Sequence, residues 1–357
     1  MSVPLLLKQY WDRKIILKII TMRIAINGFG RIGRAFFKQA LEEPTIEVIA
    51  INDLGSLENL VYLLKHDSVY GFYSKEIKVL KDNKIRINNH QIFFFQERDP
   101  RNLPWENLKV DLVIEATGVF EDYNLARSHI LAGAKKVIIT APAKGEESKD
   151  GRIILLGINE KEIQNFEVVS NGSCTTNAVS PVLKILDEKI GIKKAILNTV
   201  HAYTATQNLV DGQIKGDDFL RGRAAALNIV PSTTGAAKTI SKAIKSLEGK
   251  FDGLAIRVPV ACGSLADITF VSKKDTSVKE INEILVKASK EKKWQNVLGV
   301  SFTPLVSSDI IKDTRPAIVD LTFTKVVDKD LGKVLVWYDN EWGYTWTLIE
   351  QIKRLKF

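Results

Sequence analysis

Apolar positions along this chain keep two rhythms, and through the first half they take turns. Arg23 to Asn27 is a short apolar run that breaks at Gly28-Phe-Gly30-Arg31-Ile32-Gly33, after which helical spacing continues to about Leu41. Glu47 to Ile51 is a second run, closing on Asn52-Asp53. Ser56 to Lys65 returns to helical spacing, with Ser56 placed as an N-cap. Glu76 to Leu80 and Lys84 to Ile87 flank Lys-Asp-Asn and predict a hairpin, extended by Gln91 to Phe95. Val110 to Ala116, Lys136 to Thr140, Ile153 to Gly157 and Glu167 to Val169 predict further buried strands, and Glu121 to Ala132 a helix stopped by Gly133. This alternation predicts an α/β fold with a doubly wound, mostly parallel sheet. Its strand ends at Asn27, Asp53, Thr117 and Thr140 line one edge, where such sheets bind their ligand.

The glycine run sits between a strand and a helix, which is where a dinucleotide fold needs it. Gly28 and Gly30 permit a tight turn and close approach of backbone to a pyrophosphate at the helix N-terminus. Asp53, ending the second strand, can accept hydrogen bonds from both hydroxyls of an adenine ribose.

The second half carries a different chemistry. The run Phe166-Glu-Val-Val169 leads into Ser170-Asn-Gly-Ser-Cys-Thr-Thr-Asn-Ala178, and a helical pattern follows from Thr175 to Lys189. Cys174 is thereby placed at a helix N-terminus, where unpaired N–H groups and the helix dipole favour a thiolate. A small buried cysteine is the plainer reading of a lone Cys, but the Ser, Thr and Asn flanks do not suit an apolar pocket. Lys194 to Ala202 predicts a strand that returns His201 to the thiol. An imidazole there can stabilise the thiolate as an ion pair and then serve as general acid and base.

Composition narrows the setting. The chain has 357 residues, room for roughly two domains, with ordinary apolar and charged fractions. Its two cysteines, Cys174 and Cys262, lie far apart without metal-ligand spacing, which points to a reducing, cytoplasmic setting and no metal. The net charge of +9 is spread along the chain and suits anionic small molecules better than a dedicated nucleic-acid partner. Met1 to Thr21 mixes short apolar runs with lysines and arginines. It is too short in apolar content for a membrane span and lacks the layout of a signal peptide. With Met22 directly ahead of the first strand, an upstream start codon is the plainest account of that extension.

Five segments together resemble phosphorylating glyceraldehyde-3-phosphate dehydrogenases. They are Ile26-Asn-Gly-Phe-Gly-Arg-Ile-Gly-Arg34, Ser170-Asn-Gly-Ser-Cys-Thr-Thr-Asn177, His201-Ala-Tyr-Thr-Ala-Thr-Gln207, Pro231-Ser-Thr-Thr-Gly-Ala-Ala-Lys238 and Trp337-Tyr-Asp-Asn-Glu-Trp-Gly-Tyr344. The resemblance implies a NAD-binding domain over 22–173, completed by a returning C-terminal helix within 340–357. It also implies an α+β catalytic domain with a mixed sheet over 174–339, and a homotetramer. It implies that Cys174 attacks the aldehyde of glyceraldehyde 3-phosphate, that His201 moves the proton, and that inorganic phosphate releases 1,3-bisphosphoglycerate. Thr204 and Arg257 would hold the substrate's phosphate, and Ser173, Thr175, Thr234, Gly235 and Arg221 the attacking one. Arg31, Ile32, Asp53, Arg98, Thr140 and Asn340 would hold NAD. A sister enzyme acting on erythrose 4-phosphate is the nearest rival, and a nucleic-acid-binding protein on the same fold a more distant one.

Some positions depart from the family's usual pattern. Ala178 stands where a second cysteine is usual, and Gly172 where Ala is. Val260-Ala-Cys-Gly-Ser264 replaces the common Thr-Pro-Asn-Val-Ser, and Asp211 to Arg223 is altered and slightly longer.

Overall fold

The computed structural model describes residues 21–355 apart from Asn89 and Lys215. The expectation for Met1 to Thr21 therefore lies almost wholly outside the described residues, and so does Lys215 of the altered loop.

The first sheet runs, edge to edge, through Gly151–Ile153, Val168–Ser170, Lys136–Ile139, Leu112–Glu115, Met22–Asn27, Ile46–Asn52, His90–Phe95, Lys84–Ile87 and Ile77–Leu80. The first seven are mutually parallel, and the last two form the hairpin foreseen after Glu76. Helices and loops cover both faces, which is why the central strands read as unbroken apolar runs. Ile24 and Ile26 point into one core with Phe36 and Phe37, while Ala25 points into the other with Ile49, Trp105 and Val113. The last helix, Trp342–Ile352, places Leu348, Ile349 and Ile352 in the first of these cores, so the chain's end closes the domain its start began.

The second sheet is mixed: Val230–Thr233, Phe251–Val258, Ile192–Ala202, Ser264–Ser272, Leu331–Tyr338, Ala317–Val327 and Leu298–Ser301. Helices Cys174–Lys189, Ala236–Ala243 and Val278–Ser289 pack on one face around Val182, Leu186, Ile240, Ile268 and Leu285. Burial alternates strictly along Ser264–Ser272, so the other face is only half covered.

Two expectations need correction. Ile153 to Gly157 is not a strand: pairing stops at Ile153, and Asn159 then holds a turn by accepting from Leu155 N and donating to Ile153 O. An apolar run alone does not distinguish a buried strand from a buried turn. The single helix foreseen over Glu121 to Ala132 is two short ones, Tyr123–Ala126 and Ser128–Leu131, because the Ser128 hydroxyl bonds back to the Leu125 carbonyl. Gly133 ends the second at φ +101°, as foreseen.

Candidate active site

The glycine loop is shaped by contact distances. Gly28 has φ +95°, and a Cβ on it would lie 2.6 Å from the Ala116 carbonyl carbon. A Cβ on Gly33 would lie 2.1 Å from Gly28 O, whereas one on Gly30 would meet nothing within 4 Å. The loop is thus pressed against the next strand and open above Gly30. Helix Arg31–Ala40 starts there without a side-chain cap, leaving first-turn N–H groups for an anion. Asp53 ties the loop down: Oδ2 accepts from Phe29 N at 2.7 Å and Oδ1 from Gly55 N at 2.8 Å. Each oxygen keeps a lone pair for a ribose hydroxyl.

Two clefts adjoin at this loop. One of about 380 Å³ is lined by Gly28, Gly30, Asp53 and Arg98. The other, about 510 Å³, gathers Arg31, Ile32, Thr140, Ser173, Cys174, His201, Thr204 and Asn340. Gly30, Ala116 and Thr117 line both. The Arg31 side chain does not turn toward the loop's open side; it pairs with Glu341 (Nε–Oε1 3.0 Å) and Asp67 (3.0 Å), so only its backbone remains for a phosphate. An open site above Gly30, an uncapped helix end and the unpaired Nδ2 of Asn340 fit a dinucleotide.

Cys174 opens helix Cys174–Lys189, with Ser173 as N-cap accepting from Thr176 N at 3.0 Å. Its Sγ lies 3.4 Å from His201 Nε2. Strand Ile192–Ala202 runs parallel to Phe251–Val258 with His201 beside Arg257, and this register puts the guanidinium against the imidazole. Burial works against the foreseen ion pair. Burial pushes the thiol up, outweighing the pull of Arg257 and of hydrogen bonds from Thr175. Burial, then Arg257, push His201 down to about 3.

The anion-binding candidates divide. Arg257 lies against His201, with Nε buried and unpartnered. Thr204 lines the cleft, its hydroxyl 2.9 Å from that of Thr206. Arg221 sits in a side pocket with Thr206 and Asn208, held by Asp218 at 2.7 Å and by Ser232 at 3.2 Å. Thr234 and Gly235 lead into helix Ala236–Ala243, with Gly235 as its exposed N-cap, and are not among the residues lining the Cys174 cleft. Thr175 is buried, its hydroxyl 2.9 Å from that of Tyr338 and 4.0 Å from Cys174 Sγ.

Sequence reasoning missed several supports. Tyr338, within the last quoted motif, bridges Thr175 and Thr199 (2.8 Å) and stacks edge-on against His201. Asp339 accepts from Tyr70 Oη at 2.8 Å and from the N–H groups of Glu341 and Trp342, tying the two domains at the last helix's start. An Asp three residues ahead of a helical pattern was the available signal. Ser264 accepts from Ala202 N at 3.1 Å and donates to Asn340 Oδ1 at 3.0 Å, where Gly263 N also donates at 3.1 Å. The amide of Asn340 is thereby turned so that Nδ2 faces the cleft. Gly263 has φ +89°, and a Cβ there would lie 2.3 Å from Ser307 O, so this path excludes the Val common in the family.

A doubly wound nucleotide-binding sheet facing a thiol and an imidazole on a mixed-sheet domain defines a two-domain, nucleotide-dependent oxidoreductase. The family model described as glyceraldehyde 3-phosphate dehydrogenase, NAD binding domain, matches residues 22–123, and the C-terminal domain of the same family matches 173–340. The chain is 44% identical over 341 residues to a glyceraldehyde-3-phosphate dehydrogenase of Borreliella burgdorferi, covering 94% of this chain and 99% of the relative. It is 43% identical to glyceraldehyde-3-phosphate dehydrogenase 2 of Bacillus subtilis (94% and 96% covered) and 42% to glyceraldehyde-3-phosphate dehydrogenase 1 of Kluyveromyces lactis (94% and 99%). The chain belongs to the glyceraldehyde-3-phosphate dehydrogenase family, as the five motifs implied. It is an NAD-dependent dehydrogenase. Among the described residues no helix is long and apolar enough to cross a membrane.

Proposed function

We propose that this enzyme converts D-glyceraldehyde 3-phosphate, NAD and inorganic phosphate to 1,3-bisphosphoglycerate in the cytoplasm, as a homotetramer. The observation that carries the reading is the Cys174–His201 contact, 3.4 Å from Sγ to Nε2, opening on the same cleft as Gly30 and Asn340. Bound along the two clefts, NAD supplies the hydride acceptor. Gly28, Gly30 and the N–H groups of Arg31 and Ile32 hold its pyrophosphate. Asp53 takes the ribose hydroxyls, Arg98 and Thr140 flank the nucleotide, and Asn340 Nδ2 takes the carboxamide oxygen.

His201 Nε2 takes the Cys174 thiol proton as sulfur forms the S–C bond to the aldehyde carbon, and passes it to the carbonyl oxygen as the C=O π bond opens, giving a thiohemiacetal. His201 Nε2 then takes the hydroxyl proton as the C–H electron pair departs, leaving a thioester. A phosphate oxygen displaces the sulfur, the C–S bond breaks, and His201 returns its proton to Cys174. Thr204 and Arg257 hold the substrate's phosphate. Arg221, Ser173, Thr175, Thr234 and Gly235 hold the attacking phosphate. The half-covered face of the mixed sheet, with Ile196 and Phe323 exposed, supports assembly with further copies.

The test is NADH formation from glyceraldehyde 3-phosphate with and without phosphate. Phosphate or arsenate should be required for sustained turnover, with a burst of about one NADH per site in its absence. Full steady turnover without either would identify a hydrolysing aldehyde dehydrogenase instead.

A further inference from the structure

Asn340 stands between two acids, and each of them reaches across to the nucleotide-binding domain. Glu341 grips Arg31: each of its oxygens lies 3.0 Å from Nε, and Oε2 also accepts from NH2. Asp339 accepts from Tyr70 Oη at 2.8 Å through Oδ1 and from Lys312 N at 2.9 Å through Oδ2. Tyr70 is itself tied back to Arg31, because Asp67 Oδ1 accepts from Tyr70 N at 3.0 Å and lies 3.0 Å from Arg31 NH1. The contacts therefore close a circuit, from Arg31 through Glu341, Asn340, Asp339, Tyr70 and Asp67 to Arg31 again.

Both charges of its first link sit where each alone is unfavourable. Arg31 opens helix Arg31–Ala40, and a cation at a helix N-terminus opposes the dipole. A guanidinium beside a phosphate site would ordinarily fork onto the phosphate, yet all three nitrogens of Arg31 are spent on Glu341 and Asp67. Glu341 lines the cleft that also holds Cys174 and Asn340, a negative charge where a pyrophosphate brings more of the same. Paired, the two charges cancel, and they join the starts of the first and last helices across 310 positions of chain.

We propose that Arg31 and Glu341, with Tyr70 and Asp339, are positioning residues for hydride transfer, fixing the separation between the backbone N–H groups that hold the pyrophosphate and the Asn340 amide that holds the carboxamide. The nicotinamide is carried between those two anchors, so their separation decides how squarely it meets the C–H bond at Cys174. A misplacement of about 1 Å in such a geometry costs on the order of a hundredfold in rate. The circuit touches no reacting atom; it acts through Asn340. The inference rests on the reading in which Asn340 takes the carboxamide.

The test separates the two anchors. ADP-ribose, which carries the pyrophosphate without the nicotinamide, is titrated by calorimetry, and the NADH burst from glyceraldehyde 3-phosphate is followed by stopped flow at saturating NAD. Glu341→Gln keeps the shape of the side chain, leaves it one acceptor for Arg31 and removes a carboxylate from the cleft. Its burst should be about tenfold slower, while ADP-ribose binds at least as tightly as to the unsubstituted enzyme. Tyr70→Phe removes only the hydroxyl and keeps the ring against Trp342 (centroids 5.1 Å apart), so the burst should slow about threefold with ADP-ribose affinity unchanged. An unchanged burst in both variants, or a slower burst matched by an equal loss of ADP-ribose affinity, overturns the inference, since the contacts then serve only the fold. Asn340→Ala tells this failure from that of the reading beneath it. It should slow the burst at least as much as Glu341→Gln, and an unchanged burst there removes the carboxamide reading and this inference with it.

Discussion

Glu115→Gln should destabilise this protein far more than an isosteric change suggests. The side chain is buried at the end of strand Leu112–Glu115, and four donors converge on it. Oε2 accepts from Asn27 Nδ2 at 2.6 Å and lies 3.0 Å from His129 Nε2; Oε1 accepts from Thr117 N at 2.8 Å and from the Thr117 hydroxyl. Two fixed ends set the direction of these bonds. Trp105 Nε1 donates to His129 Nδ1 at 3.0 Å, which forces the His129 proton onto Nε2. At the other end Glu97 N donates to Asn52 Oδ1 (2.8 Å). Asn52 Nδ2 therefore donates to Asn27 Oδ1 (2.7 Å), and Asn27 Nδ2 to Glu115. Only a carboxylate, all acceptor, satisfies every donor. An amide NH2 faces either Thr117 N or the Asn27 and His129 donors, whichever way it turns. One or two charge-assisted bonds are lost, each about 1.5–3 kcal/mol, and buried donors are left opposed, so the expected cost is about 3–6 kcal/mol. Urea denaturation of the NAD-free protein measures it. Because Asn27 and Thr117 line the adenosine cleft, the KM for NAD should rise as well. Trp105→Phe frees the His129 tautomer, so in the Glu115→Gln background it should cost less than alone by about 1 kcal/mol or more. A loss below about 1 kcal/mol for Glu115→Gln, or strict additivity of the pair, would refute the directional argument.

Cys174→Ser should abolish turnover while NAD binding by fluorescence titration is kept; retention of a large share of activity would exclude the covalent route. Ser264→Ala leaves the buried Ala202 N–H unpaired and Asn340 with one anchor, so stability should fall by about 1–3 kcal/mol and kcat/KM for NAD about tenfold; a stability loss with unchanged NAD kinetics would make Ser264 purely structural. His201, held near 3 against 6.5 in the unfolded chain, makes the unfolded state bind the extra proton between those values. Stability from this residue is thus intact above pH 6.5 and falls toward pH 3 by up to about 1.4 kcal/mol per unit; His201→Asn should flatten that acid limb, and an unchanged limb would deny the burial effect. Asp53→Asn loses the charge that repels a 2′-phosphate and keeps an acceptor for only one of Phe29 N and Gly55 N, so NAD binding should weaken and the ratio of catalytic efficiencies for NAD over NADP should narrow; an unchanged ratio would show that another group decides.

What the sequence determined by itself was whatever depends on neighbours in the chain. Nearly all-apolar runs such as Val110 to Ala116 declared strands covered on both faces, and the glycine loop declared a tight turn. The small polar run ahead of Thr175 announced a helix start with Cys174 at its N-terminus. These follow from backbone sterics, period and capping, which act over a few residues. The tertiary structure decided what depends on partners far along the chain. Strand register brought Arg257 against His201, and burial sets the direction in which the Cys174 and His201 affinities for a proton move. The fold brought Tyr338 against the Thr175 hydroxyl beside the thiol. Glu341 and Asp67 claimed the Arg31 side chain, and Ser264 set the face of the Asn340 amide. Charge state, tautomer and amide orientation are properties of three-dimensional surroundings, where desolvation and a single donor at 2.7 Å outweigh any local preference.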